Sequence, residues 1–241
     1  MKSGIQKRKI QDGSDSNEIY FRGARAIHVS ENGFKKTIRL WSIFQLAIVT
    51  IALAPPARAE NAVEAKIGYC QDCHGHLGQG YRGYYPIPRL AGQQVEYIKN
   101  QLSAFIERRR TNNIMFSVAH VLRPAEMTVI ATKFHSFDPG PIGGVPKARV
   151  AAGKKIFEDG IPEQNVAACA ACHGPNAEGR GQFPRLAGQL YPYTIKALSN
   201  WSGERGQIPG KPDVSVVMAP VAHSLSRQEI ESVAAYVGSL R

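Results

Sequence analysis

The chain has 241 residues, 43% of them hydrophobic and 20% charged, and a formal net charge of +11. That composition can bury a core and excludes a disordered chain, while four cysteines are too few for a disulfide scaffold of this length. The charge is not a nucleic-acid signature, because residues 1–59 alone hold 10 Lys+Arg against 4 Asp+Glu, and the rest is scattered except for Arg108, Arg109 and Arg110.

The first element in chain order is an export signal. Leu40 to Ala54 is a run of 15 mostly apolar residues, preceded by Lys35, Lys36 and Arg39 and followed by Ala57-Arg58-Ala59. A basic flank, a short apolar stretch and an Ala-x-Ala site predict a secretory signal peptide over residues 1–59, cut after Ala59. The run is short of the about 20 residues a membrane span needs, which disfavours the alternative of an uncleaved anchor. The polar stretch up to Asn32 resembles no targeting element and reads as an overlong gene start. Cleavage after Ala59 leaves a mature chain of 182 residues.

That remainder reads twice. Cys70-Gln71-Asp72-Cys73-His74-Gly75 returns 99 residues on as Cys169-Ala170-Ala171-Cys172-His173-Gly174. Pro88-Arg89-Leu90-Ala91-Gly92-Gln93 returns unchanged at 184–189. The block from Met115 to Leu122 returns from Met218 to Leu225. Three blocks in one order define a duplication. The units are residues 60–137 and 147–241, joined by a Pro/Gly linker over 138–146. Each unit is small enough to need something extra in its core.

Helical patterns fill both units. A leading helix is expected to run into the first cysteine of each. A middle helix follows each Pro-Arg-Leu-Ala-Gly-Gln block, with Ile98, Leu102 and Phe105 matched by Thr194, Leu198 and Trp201. A last helix carries Met127, Ile130, Ala131 and Phe134 in unit one, and Ile230, Val233, Ala234 and Val237 in unit two, at helical spacing. Pro124 near the start of the first, and a capping box from Ser226 to Glu229 in the second, mark their beginnings. No alternating strand pattern occurs, so the fold class is all-α, two tandem domains.

The chemistry sits at the two Cys-x-x-Cys-His turns. Cysteines three apart can each form a thioether to a haem vinyl group, and the following histidine then serves as the iron's proximal ligand. Two disulfides would use the same four cysteines. A thioredoxin-like pair would need a βαβ setting, and a zinc site closer spacing than 99 residues. Duplication behind an export signal favours haem, attached through Cys70, Cys73, Cys169 and Cys172 with His74 and His173 on the iron. Methionine thioether suits the sixth position in an electron carrier. Met115 and Met218 occupy equivalent places, whereas Met127 lies on the apolar stripe of the last helix. His120 and His223, also equivalent, are rivals for the iron and otherwise surface or packing residues.

The order Cys-x-x-Cys-His-Gly, Pro-Arg-Leu-Ala-Gly-Gln, then Met-x-x-x-Ala before a last helix, given twice, resembles the cytochrome c4 family. The resemblance covers residues 62–241 and implies two class I cytochrome c domains, each wrapped around one covalent haem c. It implies axial pairs His74 with Met115 and His173 with Met218, and carbonyls of Pro88 and Pro184 that accept from the proximal imidazoles. It implies a soluble or membrane-associated periplasmic electron carrier between a quinol-oxidising complex or dehydrogenase and a terminal oxidase or other acceptor, with redox proteins as partners. Two alternatives use the same module: a cytochrome subunit of a larger dehydrogenase, such as a sulfide-oxidising one, and a di-haem peroxidase, which would need one iron without a tight sixth ligand.

The units differ at three places. Phe116-Ser117 follows Met115 where Ala219-Pro220 follows Met218, making Met115 the looser expected ligand. The second methionine loop, Gly203 to Val217 with Pro209 and Pro212, is longer. Tyr81, Tyr84 and Tyr85 are special to unit one and are expected on a haem face, at the domain interface or in loop packing. The Arg108–Arg110 run reads as a solvated helix end, with a basic patch or a contact to haem propionates as alternatives. Four propionates would bring the remaining +5 to about +1, leaving recognition to local patches.

Overall fold

The computed structural model describes residues 57–205 and 214–241, with side chains from residue 62. The predicted export segment through Pro56 lies outside the described residues, as do Pro209 and Pro212. Regular structure among the described residues is helical, with isolated β-bridges and no sheet.

The first half holds α1 (Ala57–His74), α2 (Val95–Ile106), α3 (Asn113–Ala119) and α4 (Pro124–His135). The spacing that predicts α2 also builds its core face, where Ile98, Leu102 and Phe105 are buried. The expected stripe of α4 is buried throughout, at Met127, Ile130, Ala131 and Phe134. With Ile67 from α1 these residues form one apolar cluster, and α2 packs on both α3 and α4. At the start of α4, Glu126 accepts from the backbone N–H of Arg123 at 2.9 Å and pairs with Lys66 of α1 at 2.8 Å.

The second half holds α5 (Lys147–Asp159), α6 (Ala170–His173), α7 (Tyr191–Ser199), α8 (Trp201–Glu204), α9 (Met218–Ser224) and α10 (Arg227–Ser239). Ser226 and Glu229 form the expected capping box at the head of α10. Val233, Tyr236 and Val237 of α10 then bury against Phe157 of α5. Gly153 permits that crossing, because a Cβ there would stand 1.9 Å from the Ser232 carbonyl oxygen.

Two expectations need correction. The leading helix runs through Cys70 in the first half, but in the second half α5 stops at Asp159, well short of Cys169. Gly160 there takes φ +74, a left-handed turn that ends the helix, and an Ile161–Val166 bridge follows. The second middle helix breaks at Asn200 (φ −122, ψ 29), so Trp201 starts a separate turn instead of extending the stripe of Thr194 and Leu198.

Residues 138–146 carry no regular structure. They are held from the first half, where Arg89 donates to the carbonyls of Pro139 (2.6 Å) and Gly140 (3.2 Å) and Arg82 to that of Gly143 (2.9 Å).

Candidate functional site

Each Cys-x-x-Cys-His turn ends a helix. Gly75 (φ +87) and Gly174 (φ +81) take the left-handed conformation directly after the histidine, so the chain leaves α1 and α6 at that point. Cys70 and Cys169 are half-buried and Cys73 and Cys172 exposed, all four as free thiols. Burial pushes the Cys70 and Cys169 thiols up to about 11, the protonated state, opposite to the thiolate that a redox pair or metal site uses. No cluster of three or more His, Cys, Asp or Glu able to hold a metal ion occurs among the described residues.

The histidines are the best-defined part of each site. His74 is 7% exposed and His173 4%. The Nδ1–H of His74 donates to the carbonyl of Pro88 at 2.9 Å, and that of His173 to the carbonyl of Pro184 at 2.9 Å. A carbonyl only accepts, so the proton stands on Nδ1 and the lone pair on Nε2. Burial, the larger effect, lowers both histidine pKa values against the opposing pull of the carbonyls, and so keeps the rings neutral. A neutral imidazole with its tautomer held and Nε2 free is the state that ligates iron.

Met115 is the third residue of α3 and half-buried; it packs with Cys70 against the core of the first half. Its backbone N–H is capped by the Asn112 side chain at 2.9 Å. A cleft of about 560 Å³ separates α1 at Lys66, Tyr69 and Cys70 from the outer face of α3 at Ile114, Ser117 and Val118. Met218 is half-buried too, but opens α9 after a 3₁₀ turn (Val214–Val217). His120 and His223 are exposed: His120 stacks on Phe116 at 5.4 Å, and His223 Nε2 meets Ser202 Oγ at 2.6 Å. Tyr81, Tyr84 and Tyr85 are 60%, 93% and 73% exposed, which excludes ordinary loop packing.

The arginine run is not a solvated helix end. Arg108 lies over the Phe116 ring at 3.5 Å, and Arg109 is buried and paired with Glu107 at 2.8 Å. Arg110 turns inward, donating to Gln101 Oε1 and to Tyr193 Oη, each at 2.8 Å, while Arg205 of the second half donates to the same Gln101 oxygen at 2.8 Å. Burial works against the Arg110 charge, but Tyr193, Tyr97 and Glu204 outweigh it and hold the guanidinium protonated. The buried Nε atoms of Arg110 and Arg185 have no hydrogen-bond partner among the described residues. The paired cysteines and the Nε2 lone pairs of the clamped histidines together fit a haem.

The repeated hexapeptides contain a feature that sequence reasoning missed. Gln93 Oε1 accepts from the Arg185 backbone N–H at 2.7 Å and Gln93 Nε2 donates to the Arg185 carbonyl at 3.0 Å. Gln189 does the same to Arg89, at 2.9 and 3.1 Å. The exact repetition was the available signal, but it does not show that each glutamine reaches the other half.

Two all-α halves, each ending a helix in Cys-x-x-Cys-His with the histidine clamped to a proline carbonyl, define a di-haem c-type cytochrome with class I folds. The sequence profile of the cytochrome c family matches residues 150–241. The chain is 37% identical to cytochrome c4 of Thiocapsa roseopersicina over 195 residues, 78% of this chain and 96% of that one. It is 35% identical to the thiosulfate dehydrogenase electron acceptor of Thiomonas intermedia (strain K12), over 70% of this chain and 76% of that one. The solved cytochrome c4 of Acidithiobacillus ferrooxidans superposes with a TM-score of 0.61 at 33% identity, covering 71% of this chain and 98% of that one. A solved thiosulfate dehydrogenase from Marichromatium purpuratum superposes with a TM-score of 0.63 at 30% identity, over 71% of this chain and 36% of that one. The chain belongs to the cytochrome c4 family, and it is an electron-transfer protein that carries two covalently attached haem c groups.

Proposed function

We propose that this chain is a periplasmic single-electron shuttle, exported by residues 1–59, with one haem in each of the domains 60–137 and 147–241. Cys70 with Cys73, and Cys169 with Cys172, form the thioethers. His74 with Met115, and His173 with Met218, are the axial pairs. The observation that carries the reading is the duplicated clamp, a buried histidine held by a proline carbonyl at 2.9 Å in both halves. When bound, haem supplies reversible one-electron chemistry at iron.

The residues of the chain perform the rest. The proline carbonyls hold each imidazole with its lone pair forward and raise its basicity as a ligand. As a second ligand to each iron, the soft sulfur of Met115 or Met218 would favour the ferrous state and raise the potential. Asn112 caps the short helix that carries Met115, accepting from the Met115 backbone N–H. Exposed Ile114 and Val121 in one half, and Val216 and Val217 in the other, give apolar surfaces for brief encounters with redox partners.

The donor that the comparisons favour is a thiosulfate-oxidising dehydrogenase. Relatives bearing the name thiosulfate dehydrogenase electron acceptor, and the superposition on a thiosulfate dehydrogenase, support this over a quinol-oxidising complex. Stopped-flow mixing of the ferric protein with either enzyme and its substrate tests it. Reduction of both haems within the turnover time of the dehydrogenase supports the reading. Reduction by the quinol-oxidising complex alone refutes it.

A further inference from the structure

The peptide group between Pro88 and Arg89 is bonded at both ends. Its carbonyl accepts from His74 Nδ1–H at 2.9 Å, and its N–H donates to Gln189 Oε1 at 2.9 Å. Gln189 belongs to the other half. The peptide group between Pro184 and Arg185 repeats this, accepting from His173 at 2.9 Å and donating to Gln93 at 2.7 Å. Each glutamine is itself fixed. Gln93 Oε1 also accepts from the Gln94 N–H at 2.9 Å and Gln189 Oε1 from the Leu190 N–H at 2.9 Å, and both side chains are buried.

A peptide N–H that donates a hydrogen bond polarises its own carbonyl and makes it a stronger acceptor. A stronger acceptor below the imidazole makes that ring a more basic ligand, which favours ferric iron. We propose that Gln189 tunes the proximal histidine of the first haem site and Gln93 that of the second, so that each half holds the positioning residue for the other half's iron. The two sites are thereby coupled through one hydrogen-bonded relay in each direction, and a separated half would lose part of its own tuning. The inference rests on the proximal assignment of His74 and His173.

The test uses the full-length di-haem protein. Met115→His and Met218→His first assign the two midpoint potentials, since a second imidazole lowers the site that holds it. Gln189→Met, which removes the two hydrogen bonds to Arg89 and the one from the Leu190 N–H at similar volume, is expected to raise the first-site midpoint and leave the second in place. Gln93→Met is expected to do the reverse. Nuclear magnetic resonance of the ferrous protein gives an independent reading: the His74 Nδ1–H proton moves upfield in Gln189→Met and stays in Gln93→Met. Gln189→Glu, which keeps an oxygen toward the Arg89 N–H, does not raise the first midpoint and shows whether packing alone explains the methionine variant. A shift in the glutamine's own half, an equal shift at both sites, or no shift overturns the proposal. Methionine-to-histidine variants that move neither midpoint overturn the axial reading instead, and the proton shifts still decide the relay.

Discussion

Gly153 and Gly68 both sit inside leading helices, and alanine at the two positions should have opposite effects. A Cβ at Gly68 meets nothing within 4 Å. At Gly153 it would stand 1.9 Å from the Ser232 carbonyl oxygen, 2.5 Å from the carbonyl carbon and 2.9 Å from Tyr236 Cβ. Ordinary contact begins near 3.4 Å, so α5 and α10 must part by about 1.5 Å. The obstacle is backbone and cannot rotate away. Alanine is worth about 1 kcal/mol over glycine in a helix interior. Overpacking costs about 1–3 kcal/mol, and a backbone clash belongs at the upper end. The expected outcome is a gain of about 1 kcal/mol for Gly68→Ala and a net loss of about 1–2 kcal/mol for Gly153→Ala. Urea unfolding of the haem-loaded proteins, followed by circular dichroism, reads both as midpoint shifts at unchanged slope. A Gly153→Ala protein as stable as Gly68→Ala would refute the close helix crossing.

Phe134→Ala removes a ring with no exposed surface from the first core and should cost about 3–5 kcal/mol in the same assay. Asn112→Ala deletes the cap on the Met115 N–H, should cost about 1 kcal/mol, and should make the sulfur–iron absorption of the first site disappear at lower temperature than that of the second. Glu126 is held down to about 2, below its ordinary 4.5, by hydrogen bonds from the Arg123 guanidinium and backbone N–H and from Lys66. Because its folded value is depressed, its contribution is complete above about pH 4.5 and is lost as pH falls toward 2. Acid titration of Glu126→Gln should therefore show a flatter loss of stability across that window than the parent protein, and identical slopes would exclude the pairing.

Local patterns were legible in the sequence. The burial of Met127, Ile130, Ala131 and Phe134, and the capping box at Ser226, depend on residues within two turns of one another, which periodicity reports directly. The hydrogen bonds of His74 to the Pro88 carbonyl and of His173 to the Pro184 carbonyl followed from the duplication and the family resemblance together. What stayed hidden depends on partners distant in sequence. Arg110 reads as a solvated helix end until Tyr193, 83 residues away, is seen to accept from it. Gln93 and Gln189 read as the ends of repeated loops until each is found on the other half, 92 and 100 residues away. The early end of α5 comes from one left-handed residue, Gly160, whose role depends on the Ile161–Val166 bridge beyond it.

The central claim is that both irons carry a histidine below and a methionine above. It is tested most directly by absorption spectra of the ferric protein with haem counted per chain. The account predicts two low-spin haems and a sulfur-to-iron charge-transfer band of strength appropriate to two methionine ligands, falling by half in Met115→Ala and by half in Met218→Ala. A high-spin haem in the parent protein, or a band that survives both substitutions, would contradict it.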